Sequence, residues 1–402
     1  MQPIKIRIAG DFWDCQIYRG WLYLWTLENE IIIIDWEKVI NKITPNRLLK
    51  VSMNLAFVNG SHLYENAFET VFNDRDIIKL LKAKFDKLSK IKFSLKLKDI
   101  DDCILYRHDS PFPELPNETE ISNNAIFAAT DIGLLKSNTH TSGLKFGVSS
   151  RMEKLWDCPL ISIKANLYAQ IALSAGSEGL FQYDNRNSDD PYFRNGDNKI
   201  GNNLYRLGST HSQFSNWSFL SIFNSSLIDP SYLSVTAWHE EKQEGYPRFT
   251  KQFVGNISEK EIFKSSEDKY LSWGGDDKIY KSSKKGIQIV DFKRTYKDDQ
   301  ENLSQPLEIK IKNWKNQIIS AGNAYFGTVA ESNDKLYILK SDNEVFIEKG
   351  EVTQWKIYPK SKYYQNHLHI IKDDYIDIFS FNHDFFIDQE KKRFGMNHLY
   401  SE

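Results

Sequence analysis

Cysteine is scarce in this chain, whose 402 residues include only Cys15, Cys103 and Cys158. An odd number of widely spaced cysteines describes neither a disulfide framework nor the paired cysteines of a structural zinc site. We therefore expect three reduced thiols and no disulfide bond. No metal site built on cysteine is expected either.

Long apolar segments are also missing, because no run approaches the roughly 18 residues from which a transmembrane helix is recognised. The N-terminal sequence MQPIKIRIAGDFWD has no continuous apolar stretch after its basic residues, and so differs from a secretory signal peptide. These two absences predict an intracellular, cytoplasmic protein that does not associate with membranes.

Neither sign of charge dominates, since 52 basic residues stand against 54 acidic ones and the net charge is −2. A nearly balanced chain creates no global field that would attract nucleic acid or an anionic membrane. Any binding to a polyanion must therefore come from a local group of basic residues.

Methionine is sparse, with four residues, whereas the chain contains 25 Phe, 20 Tyr and 10 Trp. Aromatic side chains are enriched in β-strands, while helical bundles depend more on Leu, Ala and Met. The composition therefore favours a core built from β-sheets.

Short strands separated by polar turns are most regular at 324–360, which reads as a four-stranded antiparallel meander. Ser-Asn-Asp, Ser-Asp-Asn and Lys-Gly sequences supply the turn residues between its apolar runs. A sheet this small cannot bury both faces alone, so it should be one unit of a repeated structure. The four predicted strands span 325–330, 335–340, 344–347 and 352–358.

The central hairpin of this meander starts at Tyr337 and has counterparts elsewhere, each with an apolar run, a polar turn and a second apolar run. Most intervals between them are about 40 to 50 residues or about twice that, the period of propeller blades. Strand patterns at 219–223 and 232–238 fill one long interval. The other hairpins start at Tyr23, Ile126, Ala172, Leu271 and Asp377.

One of these hairpins, IFAATDIGLLKS at 126–137, is similar to the strand-turn-strand core of propellers built from Asp-box-like repeats. The resemblance is architectural, because the full Ser-x-Asp-x-Gly-x-Thr-Trp pattern is absent. It implies an all-β propeller formed by residues 1–402 as a single domain, with seven four-stranded blades preferred over six or eight. We expect residues 4–8 to complete the C-terminal blade, because this pairing removes two free sheet edges.

Helical signals interrupt the first blade at 37–90, where the chain departs from the repeat. Thr44-Pro45, Ser61 and Asn73-Asp74 are each typical of a helix start. We therefore predict an insertion of two or three helices between strands of this blade.

The last predicted helix of the insertion is amphipathic and basic. Its apolar face comprises Ile77, Ile78, Leu81, Phe85 and Leu88. Lysines on the opposite face and on the alternating strand that follows could contact phosphates or an acidic partner. The alternative is an ordinary solvated surface, because exposed lysines are common. The candidate binding residues are Lys79, Lys82, Lys87, Lys90, Lys92, Lys96 and Lys98.

A second break in the repeat is the polar stretch at 184–216, in which Asn, Asp, Ser and Gly dominate. Loops of this length in compact proteins are usually functional or disordered. We predict a long polar loop here.

Chemical motifs along the chain are incomplete. His239-Glu240 begins like a zinc-protease helix, but the second histidine is missing and the context is β. His367 and His369 would share one face of a strand, as half of a metal site or as two buried, hydrogen-bonded histidines. We therefore predict no catalytic residues, no metal and no cofactor.

Three functions of different class remain open. The first is a non-catalytic protein-protein interaction or scaffold module that presents its loops and the helical insertion to protein partners. The second is a factor that binds nucleic acid through the lysine-rich helix face. The third is an enzyme that acts on a glycan or small molecule in the central depression of the propeller.

Overall fold

The protein, seen in a computed structural model, has the predicted fold class, an all-β propeller of seven blades. Contacts divide the chain into two compact units, one of Met1–Leu115, Ser137–Met152 and Asn323–Glu402, the other of Pro116–Lys136 and Glu153–Gly322. That residues 1–402 form a single domain stays a prediction. The structure describes residues 1–140, 147–166, 170–184, 200–205, 207–215, 221–241, 248–264, 270–293, 302–312, 314 and 317–396.

The first blade lies in the first unit and has the strand order β2-β3-β4-β6. Leu22, Leu24 and Ile32 are fully buried, as expected for alternating apolar residues on one face of a sheet. In the turn between β3 and β4, Asn29 adopts φ +60°, a left-handed conformation that asparagine tolerates. The strands are β2 (Phe12–Tyr18), β3 (Trp21–Thr26), β4 (Glu30–Asp35) and β6 (Ile104–Asp109).

The C-terminal blade has the order β28-β29-β30-β1-β5, so the N-terminal strand completes it as predicted. β1 pairs antiparallel with β30, from Ile4 opposite Ser380 to Ala9 opposite Tyr375. β5 adds a fifth strand that runs parallel to β1. The strands are β1 (Ile4–Ala9), β5 (Phe93–Lys96), β28 (Gln354–Ile357), β29 (His367–Lys372) and β30 (Tyr375–Ser380).

The predicted hairpin at Asp377 is wrong. Asp377 lies within β30, and the chain after this strand forms a 3-10 turn at His383–Phe386 instead of a further strand. The Phe-Phe pair in this turn imitates an apolar strand in the sequence but packs against helices, as described below. The actual hairpin of this blade joins β29 to β30.

A further sheet has the order β24-β25-β26-β27. The four strands predicted at 325–358 correspond to β25, β26, β27 and β28, and the last of these belongs to the C-terminal blade. Alternation of apolar residues marks each strand, but it does not specify which neighbours pair, so the meander spans two sheets. The strands are β24 (Ser320–Ala324), β25 (Gly327–Ser332), β26 (Lys335–Lys340) and β27 (Val345–Lys349).

Two sheets follow the first blade along the chain, with the orders β10-β9-β8-β7 and β11-β12-β13-β14. In both, the predicted hairpin supplies the second and third strands. The strands are β7 (Glu118–Ser122), β8 (Ala125–Thr130), β9 (Gly133–His140), β10 (Gly147–Trp156), β11 (Ser162–Ala165), β12 (Gln170–Ser174), β13 (Leu180–Asp184) and β14 (Ile200–Tyr205).

Two more sheets have the orders β15-β16-β17-β18 and β19-β20-β21-β22, and β23 also pairs with β21. β16 and β17 confirm the irregular unit predicted at 219–223 and 232–238. The strands are β15 (His211–Ser215), β16 (Ser221–Ser225), β17 (Tyr232–Glu241), β18 (Arg248–Ser258), β19 (Ser272–Gly275), β20 (Lys278–Ser282), β21 (Gly286–Lys293), β22 (Asn302–Leu303) and β23 (Leu307–Lys310).

Two local predictions change with these strands. Within the predicted polar loop at 184–216, β14 and β15 are strands, while residues 185–199 lie outside the described part of the chain. His239 and Glu240 lie on β17, so they belong to a strand and not to a zinc-protease helix.

The helical insertion lies between β4 and β6 and contains four α-helices. Asp74 caps the last helix as predicted, since its carboxylate accepts the backbone N–H groups of Asp76 and Ile77. Across the described residues, no helix is both long and apolar enough to cross a membrane. The helices are α1 (Trp36–Ile43), α2 (Lys50–Phe57), α3 (Glu69–Phe72) and α4 (Arg75–Leu88), with α5 (Glu259–Phe263) elsewhere in the chain.

The helix start predicted at Thr44-Pro45 is wrong, because Thr44 ends α1. Both the backbone N–H and the Oγ1 of Thr44 donate to the carbonyl oxygen of Ile40, at 3.2 and 2.6 Å. The first helix begins after Asp35, whose carboxylate accepts the N–H of Lys38 at 3.0 Å. Threonine followed by proline is compatible with either end of a helix, and hydrogen bonding to the preceding turn decided this case.

The junction between β1 and β30 carries a buried charge cluster. Asp377 on β30 is fully buried, and its two carboxylate oxygens accept hydrogen bonds from Nε and Nη2 of Arg7 at 2.7 and 2.8 Å. Lys5 contacts the same carboxylate at 3.3 Å, and the Arg7 guanidinium lies 3.5 Å from the ring centre of Tyr375. A bidentate, charge-assisted pair therefore fixes the register of the closing strand.

We predict that Asp377→Asn lowers the free energy of unfolding by about 3 kcal/mol, because it removes one partner of a buried ion pair. Urea unfolding followed by tryptophan fluorescence measures the change. Asp373→Asn, at an exposed position in the turn before β30, is the matched control and should change stability little. Equal effects of the two substitutions would contradict the proposed role of the Arg7–Asp377 pair.

Candidate functional site

The helical insertion packs onto the C-terminal blade through one face of α4. Leu81, Phe85 and Leu88 are buried in the same apolar core as Ile6 and Ile8 of β1. Ile77, which was assigned to the buried face from the sequence, is instead 36% exposed. The buried stripe of α4 is therefore narrower at the start of the helix than the sequence predicts.

A single carbonyl group near the end of α2 attaches the insertion to β29 and β30. The oxygen of Ala56 accepts hydrogen bonds from Ser380 Oγ at 2.7 Å, His367 Nε2 at 3.0 Å and Asn366 Nδ2 at 3.2 Å. The last carbonyls of a helix lack partners within the helix, so outside donors can satisfy them. Three buried donors on one acceptor hold the end of α2 against the blade.

An aromatic cluster forms a second attachment. Phe385 meets Tyr64 and Phe72 edge to face, with ring centres 5.7 and 6.2 Å apart, and Phe386 meets Phe85 at 6.0 Å. Edge-to-face pairs of this kind stabilise packing beyond the area that they bury. The helical insertion thus packs against the 3-10 turn at His383–Phe386.

The insertion also exposes several large apolar side chains. Leu48 is 77%, Val51 63%, Leu80 57% and Ile77 36% exposed. We call these four residues the apolar patch. Leu48 lies in the 3-10 turn Arg47–Leu49 that leads directly into α2, and Val51 follows three residues later in α2. Ile77 and Leu80 lie three residues apart on α4 and therefore on one helical face.

The two halves of the apolar patch lie close to each other. Nζ of Lys84 on α4 donates to the carbonyl oxygen of Leu48 at 2.8 Å, which joins the two segments at this point. Lys84 lies four residues after Leu80 and therefore on the same face of α4. A seam therefore runs between α4 and the segment that leads into α2, with Leu48 on one side and Leu80, one turn before Lys84, on the other.

The seven predicted binding lysines are all exposed. They lie on α4, in the following turn, on β5 and, for Lys98, in a 3-10 turn at Leu97–Cys103 that replaces the end of the predicted strand. Their role in binding stays a prediction. The residues on α4 are Lys79, Lys82 and Lys87, and those after it are Lys90, Lys92, Lys96 and Lys98.

Sequence reasoning missed the apolar patch. Leu80 lies outside the stripe formed by Leu81, Phe85 and Leu88, and this departure from the helical period is the signal that could have found it. No comparable signal exists for Leu48 and Val51, because apolar residues in a short helix are expected to be buried.

The histidine pair is buried and hydrogen-bonded, the second of the two predicted arrangements. His367 Nε2 contacts Ala56, and His369 Nδ1 lies 3.0 Å from Tyr358 Oη. Among the described residues, no group of three or more His, Cys, Asp or Glu side chains is arranged to hold a metal ion. Both imidazoles are fully buried within the first unit.

A cysteine and a histidine also meet in this region, with Cys15 Sγ 3.6 Å from His369 Nδ1. Burial and the neighbouring Asp14 carboxylate raise the pKa of the Cys15 thiol to about 12. Burial and the neighbouring His367 lower the pKa of His369 well below its usual value. Both groups are neutral near pH 7, whereas a nucleophilic cysteine acts as the thiolate.

We predict that the protein loses stability as the pH falls from about 6.5 towards 4, because protonation of a buried histidine favours the unfolded chain. Burial lowers the pKa of His367 to about 4 from 6.5, so its contribution is complete above pH 6.5 and decreases through this window. The slope is about 1.4 kcal/mol per pH unit for each such histidine. Urea unfolding at several pH values measures it.

The variant His367→Gln should reduce this slope by about 1.4 kcal/mol per pH unit, since glutamine does not titrate. His108→Gln, at an exposed position on β6, serves as the control and should leave the slope unchanged. A slope that is identical in the wild type and in His367→Gln would contradict the prediction.

Comparisons with known proteins identify no family. No protein-family model and no curated protein matches the chain. The crystal structure of the computationally designed Ika8 protein is similar over 94% of this chain and 100% of its own, with 8% identity and a TM-score of 0.43. The AfRom2 CNH domain is similar over 66% of this chain and 94% of its own, with 10% identity and a TM-score of 0.33. At these scores the fold assignment rests on the sheets of this chain alone.

Proposed function

We propose that the protein is a non-catalytic protein-protein interaction module that presents its helical insertion to a partner protein. The observation that carries this proposal is the apolar patch of Leu48, Val51, Ile77 and Leu80, whose four side chains are all exposed on the helical insertion. Grouped apolar side chains on a protein surface commonly mark interaction sites. The propeller would then act as the scaffold that holds the insertion.

The attachment of the insertion supports a role in binding. The Ala56 carbonyl and the Phe385–Phe386 cluster hold the helices against the C-terminal blade. A surface that is already ordered loses less conformational entropy when a partner binds. Burying one leucine side chain contributes about 1.5 to 3 kcal/mol, so a few residues of this patch are enough for a specific contact.

We predict that Leu48→Asp removes a protein partner that co-purifies with the wild-type chain, because a carboxylate would be buried in the interface. Affinity purification from native cells with quantitative mass spectrometry measures partner recovery. Ile228→Asp is the matched control, since Ile228 and Leu48 are both 77% exposed. The control should retain the partner.

Thermal unfolding establishes that both variants are folded, and neither position is buried. Recovery of the same partners with both variants and the wild type would contradict the proposal. A wild-type protein that purifies without any stoichiometric partner would contradict it as well.

Binding to nucleic acid through the lysines is the second candidate function. The exposure of the seven predicted lysines favours it, because an exposed ammonium group can reach a phosphate. Few aromatic side chains accompany these lysines, so base stacking on a single strand is not expected. The candidate ligand is therefore a duplex contacted through its backbone.

If this candidate is correct, changing Lys79, Lys82, Lys87 and Lys90 together to Glu should abolish salt-sensitive binding of a double-stranded oligonucleotide. Fluorescence anisotropy across a salt series measures this binding. Four exposed lysines elsewhere, Lys284, Lys285, Lys293 and Lys310, are changed together to Glu as the charge-matched control. Equal loss in both variants, or none in the first, would exclude the α4 lysines as the binding face.

A further inference from the structure

The seam between α4 and the segment that leads into α2 has apolar side chains on both sides and a lysine between them. Leu48 and Val51 flank it on one side, and Ile77 and Leu80 flank it on the other. Lys84 lies at the seam, where its Nζ donates to the Leu48 carbonyl. Each side therefore offers apolar side chains spaced by one helical turn, with a positive charge between them.

The surroundings of the seam are basic. Residues 44–58 contain Arg47 and Lys50 but neither Asp nor Glu. On α4, Lys87 is exposed and lies seven residues after Leu80, on the same helical face. Within the described part of the chain, the side chains of Arg47, Lys50 and Lys87 form no ion pair with a carboxylate, so their charges are available to a partner.

Acidic residues nearby do not cancel this charge. The carboxylate of Asp74 is engaged as the cap of α4, where it accepts two backbone N–H groups. Asp76 in the first turn and the half-buried Asp86 are the other acids of the helix, against five Lys or Arg residues at 75–88 and a sixth, Lys90, just after it. The surface next to the apolar patch is therefore positive overall.

We propose that this seam binds an acidic amphipathic helix of a partner protein. The partner helix places apolar side chains at i, i+3 and i+4 against Leu48, Val51 and Leu80, as in helix-in-groove recognition. Its carboxylates pair with Arg47, Lys50 and Lys87 around the patch, and one reaches Lys84. This inference rests on the proposed function and names the chemistry of the partner.

Two other occupants fit the seam less well. Nucleic acid has no apolar face to cover Leu48 and Val51, so these side chains would gain nothing from its binding. An anionic membrane would have to immerse the Lys84 ammonium together with the apolar patch, because the Leu48 carbonyl holds this side chain at the seam. Interfacial helices carry Trp, Phe or Leu on their inserted face, and of these the patch offers only Leu. A helix carrying carboxylates satisfies both the apolar and the charged groups.

The test is a selection of peptides from a random display library on the full-length protein, with peptides of about 20 residues, or about five helical turns. We expect the enriched peptides to carry excess Asp and Glu and to repeat apolar residues at helical spacing. Their affinity, measured by fluorescence anisotropy, should fall at least about tenfold on Leu48→Asp. Ile228→Asp should bind them as the wild type does.

A charge reversal tests the acidic character separately. The double variant Lys50→Glu with Lys87→Glu should weaken the best wild-type peptide at least about tenfold and reduce the salt dependence of its binding. Selection on this variant should yield less acidic peptides. Circular dichroism and thermal unfolding confirm that each variant is folded.

Several outcomes would overturn the inference. One is that the enriched peptides are basic or uncharged, and another is that none of them depends on Leu48 for binding. A third is that an oligonucleotide or phosphatidylserine vesicles bind more tightly than the peptides and lose this binding on Leu48→Asp. If Leu48→Asp still removes the co-purified partner, only the acidic helix is wrong and the proposed function stands. If Leu48→Asp and Ile228→Asp behave alike in both assays, both proposals fail.

Discussion

The pairing of β1 with β30 is the contact on which the C-terminal blade depends. Strands β28, β29 and β30 leave one sheet edge open, and β1 covers it with six paired residues. The buried Asp377 carboxylate, held by Arg7, fixes the register. β5 then pairs with the other edge of β1. Because β5 directly follows the helical insertion, the strand that completes the blade also determines where the insertion ends.

The insertion is therefore held at both ends and in its middle. It begins after β4 of the first blade, ends in β5 of the C-terminal blade, and is attached between them by the Ala56 carbonyl. The buried faces of its helices contribute to the same core as β1. An element fixed in this way can leave Leu48 and Leu80 exposed without losing its own structure, which is why we propose that a partner binds there.

Several polar groups buried between the first and C-terminal blades contact one another. Tyr358, His369 and Cys15 form one cluster, and Lys356 pairs with the buried Asp14 at 3.4 Å. Polar contacts of this kind join the two blades in the interior of the first unit. The exposed apolar patch and the seven candidate lysines lie instead where helices interrupt the blade repeat and in the segment that follows them.

The sequence by itself determined the strands and the blade period, because alternation of apolar residues and turn chemistry are local properties. It also predicted the closing strand, the insertion and the Asp74 cap. Only the tertiary structure decided which strands of a blade each hairpin supplies: the hairpin at Leu271 forms the first two and the one at Tyr337 the last two. The sequence could not decide this, because every pair of adjacent antiparallel strands shows the same alternation of apolar residues around a polar turn. It alone exposed Leu48, Val51 and Leu80, because which apolar side chains a short helix buries depends on the surface it meets.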